Sequence, residues 1–162
     1  MSNDAVSQGS HQGTETDERK ARLSLLARAP HDTLLQLWNA WCAAKGMPRH
    51  DVVRGPQIGT VMVRGRAGGT GAAFNLGEIT VTRCTVRLGC GTVGHGHVQG
   101  RNADAARATA LIDALFEGGD ASGIEETILA PLRETSLARA AERAARAAAT
   151  KVEFFTLVRG EA

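Results

Sequence analysis

Arg64 and Arg66 flank Gly65 and lead into Gly68-Gly69-Thr70-Gly71, with Glu78 and Arg83 following on the strand-like run Ile79-Thr80-Val81-Thr82-Arg83. The forked donors of arginine match phosphate or carboxylate oxygens two at a time. Glycines cost backbone entropy, so a cluster of them implies φ > 0 turns or a backbone lying close to something else. Two readings follow. In one, backbone N–H groups and guanidinium groups cradle an anion. In the other, the segment is a tight hairpin with solvated arginines. Arg64, Arg66, Gly68, Gly69, Thr70, Gly71, Glu78 and Arg83 are the candidate ligand-binding or interface residues. Glu78 is the single acid among them and reads as an arginine partner rather than a catalyst.

Other chemistry is tested by spacing. Arg66 to Gly71 has the look of a phosphate loop but lacks the GK[ST] ending, which excludes a standard P-loop ATPase. Gly89-Cys90-Gly91-Thr92-Val93-Gly94 fits GxGxxG, but His95-Gly96-His97-Val98-Gln99-Gly100 cannot supply the helix that holds a pyrophosphate, so the motif reads as a hairpin turn. His95 and His97 stand two apart and share one face of a strand. They are weak metal candidates, because no third ligand is identifiable and two half-exposed histidines on a sheet are the default. No Gly-x-Ser-x-Gly elbow and no paired carboxylates are present, so the catalytic residues are unknown.

The elements that must position these groups form an α+β pattern. Residues 1–16 are polar and read as a disordered tail, and residues 17–162 as a single domain. A helix is predicted from about Asp17 to Ala29, stopped by Pro30. A second, capped by Asp32, carries Leu34, Leu37, Trp38 and Trp41 at helical spacing and ends at Gly46, its tryptophans serving as packing groups. Pro48 to Pro56 reads as a connection. Ile58–Arg64, about Ala72–Leu76, Ile79–Leu88 and Thr92–Gln99 then read as four strands of an antiparallel meander. Thr82, Cys84, Val86 and Leu88 make the core face of the third strand, and Val81, Arg83, Thr85 and Arg87 turn the other way, toward water, a ligand or a partner.

Helical period returns after Asn102, with Ala108, Leu111, Ile112, Leu115 and Phe116 as an apolar stripe ended by Gly118-Gly119. Ser122-Gly123-Ile124-Glu125 resembles a capping box opening a short helix toward Leu132. Ser136 to about Ala149 is an alanine-rich helix with Glu142 and Arg146 placed as an i,i+4 pair. Lys151 to Val158 reads as a strand apolar on both faces, in need of cover on both. The whole predicts a mainly antiparallel sheet of four to five strands flanked by N-terminal and C-terminal helices.

Composition narrows the class of protein. Of 162 residues, 43% are hydrophobic, which is enough for a packed core. The charge balance of 19 basic against 17 acidic residues is too even to suggest nucleic-acid binding, and aromatics at 4% argue against a base-stacking platform. Cys42, Cys84 and Cys90 are odd in number and lack CxxC spacing, and the chain shows no signal-peptide pattern, so a reduced cytoplasmic protein is expected. No apolar run approaches the ~20 residues needed to span a bilayer, so no membrane association is expected.

The ordered set Arg64 to Leu88, Val98-Gln99-Gly100-Arg101, Ala110 to Leu115, Ala130-Pro131-Leu132 and Phe154 to Gly160 resembles the PhnG subunits of the carbon–phosphorus lyase system, from roughly Asp17 onward. Two positions depart from the family pattern. Gln57 stands where members often have an acid, which puts any carboxylate role there in doubt. His95 and His97 stand where members often have aromatics, which weakens the metal reading further.

The resemblance implies a subunit rather than a free-standing enzyme. It implies partners PhnI (the tightest), PhnH and PhnJ, with PhnL and PhnK as further components, in a hetero-oligomer holding two copies. With PhnI, PhnH and PhnL, the set displaces adenine of ATP by an alkylphosphonate to give a ribose 1-phosphonate 5-triphosphate. ATP with magnesium is then a substrate of the complex. The iron–sulfur cluster and S-adenosylmethionine belong to PhnJ, and no cofactor is expected on this chain. The resemblance carries over no catalytic residue. The alternative is a small-anion or metal-binding module unrelated to phosphonates.

Overall fold

The computed structural model describes residues 7–66 and 71–150. Two helices come first, α1 (Ser7–Arg28) and α2 (His31–Lys45). Three strands follow, β1 (His50–Gly65), β2 (Phe74–Leu88) and β3 (Val93–Gln99). Then come α3 (Ala103–Glu117), α4 (Ala121–Ile124), a π turn (Glu125–Leu129) and α5 (Ala130–Ala149). The architecture is α+β, and the strands pair antiparallel in the order β1-β2-β3.

Helix α1 starts at Ser7, ahead of the predicted Asp17, and ends at Arg28 just before Pro30. Helix α2 buries Leu34, Trp38 and Trp41, and the two indoles stack with centroids 5.4 Å apart. Asp32 does not cap it. Pro30 takes the cap position and, having no polar side-chain atom, makes no capping hydrogen bond, so that Asp32 falls inside the first turn. Gly46 ends the helix at φ 86°, and its N–H donates to the Cys42 carbonyl.

The sheet has three described strands where four to five were expected. Two of the predicted strands are one: Ala72–Leu76 and Ile79–Leu88 merge into β2. The register moves from Val63↔Gly77 to Arg64↔Asn75, leaving Leu76 as the extra residue of a bulge. A bulge at a glycine kinks a strand without ending it, and from sequence that glycine is indistinguishable from a turn. Strand β1 likewise starts at His50, inside the predicted connection. Pro56 sits in it at a second irregularity, between Arg54↔Thr85 and Gln57↔Arg83. Proline is tolerated there because β1 is an edge strand and the position is bulged. The predicted strand Lys151–Val158 lies outside the described residues.

The core lies between one face of β2 and β3 and helix α3. Thr82, Cys84, Val86 and Leu88 are all buried on it, together with Val98, Ala106, Ala110, Leu111 and Ile112. Gly94 and Gly96 let α3 come against β3 backbone to backbone, since a Cβ at either would collide with the main chain of Ala110 or Ala106. This packing accounts for Gly94, the last glycine of the segment that imitates a dinucleotide motif, while Gly91 takes φ 95° in the turn before β3. Asn102 caps α3, its Oδ1 accepting from the Ala105 N–H at 2.8 Å.

Ala121 to Ala149 is a continuous helical run rather than two helices. Ser122 forms no capping box there, the cap position falling on Asp120 without a side-chain bond, and Glu125 pairs instead with Arg133. The π turn precedes Pro131, whose ring cannot donate and crowds the carbonyl four residues back, so the widened turn accommodates it. The Glu142–Arg146 pair forms as predicted. From Ser136 onward, α5 is exposed on all sides.

Candidate functional site

Beyond the core, β1 and the first half of β2 form a two-stranded ribbon. Ile58, Met62, Phe74 and Leu76 are between 46% and 60% exposed on it. Large apolar side chains held in water over both strands are the mark of a surface made for contact with another molecule. Gly65 belongs to the same construction, because the Leu76 side chain lies over it where a Cβ would be.

The sequence-selected residues are spread along this ribbon rather than gathered. Arg64 faces Asn75 near its far end, with Arg66 beyond. Gly68, Gly69 and Thr70 lie outside the described residues, and Gly71 is half-buried at their border. Glu78 stands opposite Met62, and Arg83 opposite Gln57. Gln57 and Arg64 are seven positions apart on β1, on the order of 20 Å in extended chain. Arg83 therefore belongs to a different surface from Arg64 and Arg66. Glu78 makes no ion pair with any arginine among the described residues, so the expected partnership is not seen there.

That second surface is the face of the sheet turned away from α3. Arg83 pairs across the strands with His97, Thr85 with His95 and Arg87 with Val93. Arg83, Arg87, His95 and His97 are all exposed. Thr85 Oγ1 and His95 Nδ1 are 3.4 Å apart, which places their side chains together on this face. Among the described residues no three His, Cys, Asp or Glu side chains are grouped to hold a metal ion. A guanidinium beside His97 also disfavours a cation there.

A buried charge centre that sequence reasoning missed holds this face in place. Asp113 is fully buried on α3. It accepts from Arg19 Nη2 at 2.8 Å, from Arg22 Nη2 at 3.5 Å and from the His95 N–H at 2.9 Å. Arg22 also pairs with Glu117 and lies 3.7 Å over the Phe116 ring. The Asp113 hydrogen bond raises the Arg19 pKa further above its ordinary value. One carboxylate thus ties α1, α3 and β3 together. The available signal was an acid in the middle of the apolar run Leu111-Ile112-Asp113-Ala114-Leu115, which demands a buried cation.

Residues 17–160 match the family described as "Phosphonate metabolism protein PhnG". The chain belongs to the PhnG family. It is also 45% identical over 144 residues to a Rhizobium meliloti (strain 1021) protein named alpha-D-ribose 1-methylphosphonate 5-triphosphate synthase subunit PhnG, a match that covers 89% of this chain and 90% of that relative. The PhnG span takes in the ribbon, the open sheet face and the Asp113 centre. The cysteines of this PhnG domain differ in chemistry. Burial pushes the thiols of Cys42 and Cys84 up, whereas the Thr92 hydroxyl beside exposed Cys90 holds its thiol below the ordinary value. Among the described residues no helix is long and apolar enough to cross a membrane.

Proposed function

We propose that this chain is a non-autonomous subunit of the carbon–phosphorus lyase machinery. Its task is to order a partner during the displacement of adenine from ATP by an alkylphosphonate, with a ribose 1-phosphonate 5-triphosphate as product. The observation that carries the proposal is the ribbon. Ile58, Met62, Phe74 and Leu76 stand in water on the isolated chain, and the name of the Rhizobium relative is that of a synthase subunit. The main partner is PhnI, with PhnH and PhnJ in the same hetero-oligomer, two copies of this chain within it, and PhnL and PhnK acting alongside. The assembly works in the cytoplasm. ATP with magnesium enters as substrate, and the iron–sulfur chemistry with S-adenosylmethionine resides on PhnJ. The isolated chain is inactive.

Co-expression with a PhnI homologue tests the proposal. A stoichiometric complex is expected, and Ile58→Lys combined with Phe74→Lys should abolish it while the chain stays folded. A chain that remains alone beside its partner, or that turns over ATP and phosphonate by itself, would refute it. The alternative, a small-anion or metal-binding module unrelated to phosphonates, draws on the arginines that form no ion pair among the described residues.

A further inference from the structure

We propose that the open face of the sheet is a binding site for a polyphosphate chain of triphosphate length, held by Arg83 and Arg87 with His95 and His97 alongside. The proposal rests on the functional reading above only for the source of the ligand, a triphosphate-bearing substrate or product.

The argument begins with register. Arg83 and Arg87 alternate with core residues Thr82, Cys84, Val86 and Leu88, so both project from the face opposite α3. The antiparallel pairing sets His97 beside Arg83 and His95 beside Thr85 on that face. On β1 Arg54 faces Thr85 and Gln57 faces Arg83. Five basic side chains therefore share one exposed patch.

Counter-charge is sparse. Arg54, Arg83 and Arg87 form no ion pair among the described residues. Asp51 lies across from Arg87 in register without reaching it as an ion pair. The nearest buried acid, Asp113, is committed to Arg19, Arg22 and the His95 backbone. Guanidinium groups left without carboxylates on a rigid sheet suit phosphate oxygens, which they meet with paired donors.

Spacing selects the length of the anion. Arg83 and Arg87 are four residues apart on one strand, ~13 Å along the chain. A row of phosphates offers each guanidinium its own set of oxygens, whereas a single phosphate has to be shared between them. Beside the patch, a groove of about 480 Å³ runs between α1 and β3, lined by His95, His97, Lys20, Leu23 and Ala27 among others. It gives the organic end of a triphosphate ester an apolar wall with Lys20 on its rim.

Calorimetric titration of the full chain, free and in its assembled complex, tests this with inorganic tripolyphosphate, monophosphate and ATP. Tripolyphosphate should bind at least about tenfold tighter than monophosphate, be displaced by ATP, and weaken as salt is raised. Arg83→Ala and Arg87→Ala should each cost roughly tenfold or more, given what a charged hydrogen bond contributes. Arg139→Ala removes the same charge from α5 and should leave the affinity unchanged. Equal affinity for the two inorganic anions, no binding in either form, or loss only on Arg64→Ala and Arg66→Ala would each overturn the proposal. Co-purification of the same variants with the partner subunit reads the docking proposal separately. Variants that assemble normally but lose tripolyphosphate support the site, whereas failure to assemble with tripolyphosphate binding intact counts against docking alone.

Discussion

Asp113 shows what one residue can decide. Its carboxylate has no contact with water and donors from three residues around it. Asp113→Ala strands Arg22 without its full counter-charge, and removing one partner of a buried pair typically costs about 3–5 kcal/mol. The urea midpoint should fall accordingly with the slope of the transition unchanged. The cysteines give a pH prediction with a clear sign. Lowering a thiol pKa makes the thiolate appear earlier as pH rises, so Cys90 should be alkylated by iodoacetamide at lower pH than Cys42 or Cys84, whose burial delays ionisation. Peptide mapping after pulse labelling reads the order, and prior loss of Cys84 would contradict it. At this scale the sequence showed which way β2 faces, because alternation is a local property: Thr82, Cys84, Val86 and Leu88 are buried and Arg83 and Arg87 are not. It could not pair Asp113 with Arg19, since their contact joins residues 94 positions apart.

Elements meet here through absent side chains as much as present ones. Gly94 and Gly96 set the distance between β3 and α3, and a methyl group at Gly96 meets the Ala106 carbonyl rather than a flexible side chain. Gly96→Ala should cost about 1–3 kcal/mol as the helix is pushed off the sheet, read as a lowered melting temperature. The ribbon behaves in the opposite way. Ile58→Lys and Phe74→Lys alter exposed positions, so the melting temperature of the isolated chain should hold within about 0.5 kcal/mol equivalent while its solubility rises. A large destabilisation would mean that these side chains pack within their own chain. Helix α2 was legible from the spacing of Leu34, Trp38 and Trp41 together with Gly46. The strand count was not, because Gly77 and Pro56 carry turn chemistry yet sit inside strands at register shifts. Which of the two a glycine or proline makes depends on the neighbouring strand, which local sequence does not contain.

The molecule as a whole is a small α+β body with a sheet extended past its own core. Light scattering and sedimentation of the pure chain should show concentration-dependent self-association that disappears when a PhnI homologue is added in equal amount, and a strictly monomeric chain at every concentration would argue against the ribbon as a docking element. Family membership was readable because it rests on residue types in order. The separation of Arg64 and Arg66 from Arg83 became visible only once the pairing register was known. The two rims of the sheet carry different hazards. The outer rim of β3 is partly sealed, with the His95 amide taken up by Asp113. Among the described residues the outer rim of β1 pairs with no further strand, and the register shift around Pro56 is what interrupts it. That proline guards against fibre growth: exchanging it for a residue with an amide hydrogen would straighten the rim into a template on which identical chains could stack, and the chain would then be lost to aggregates.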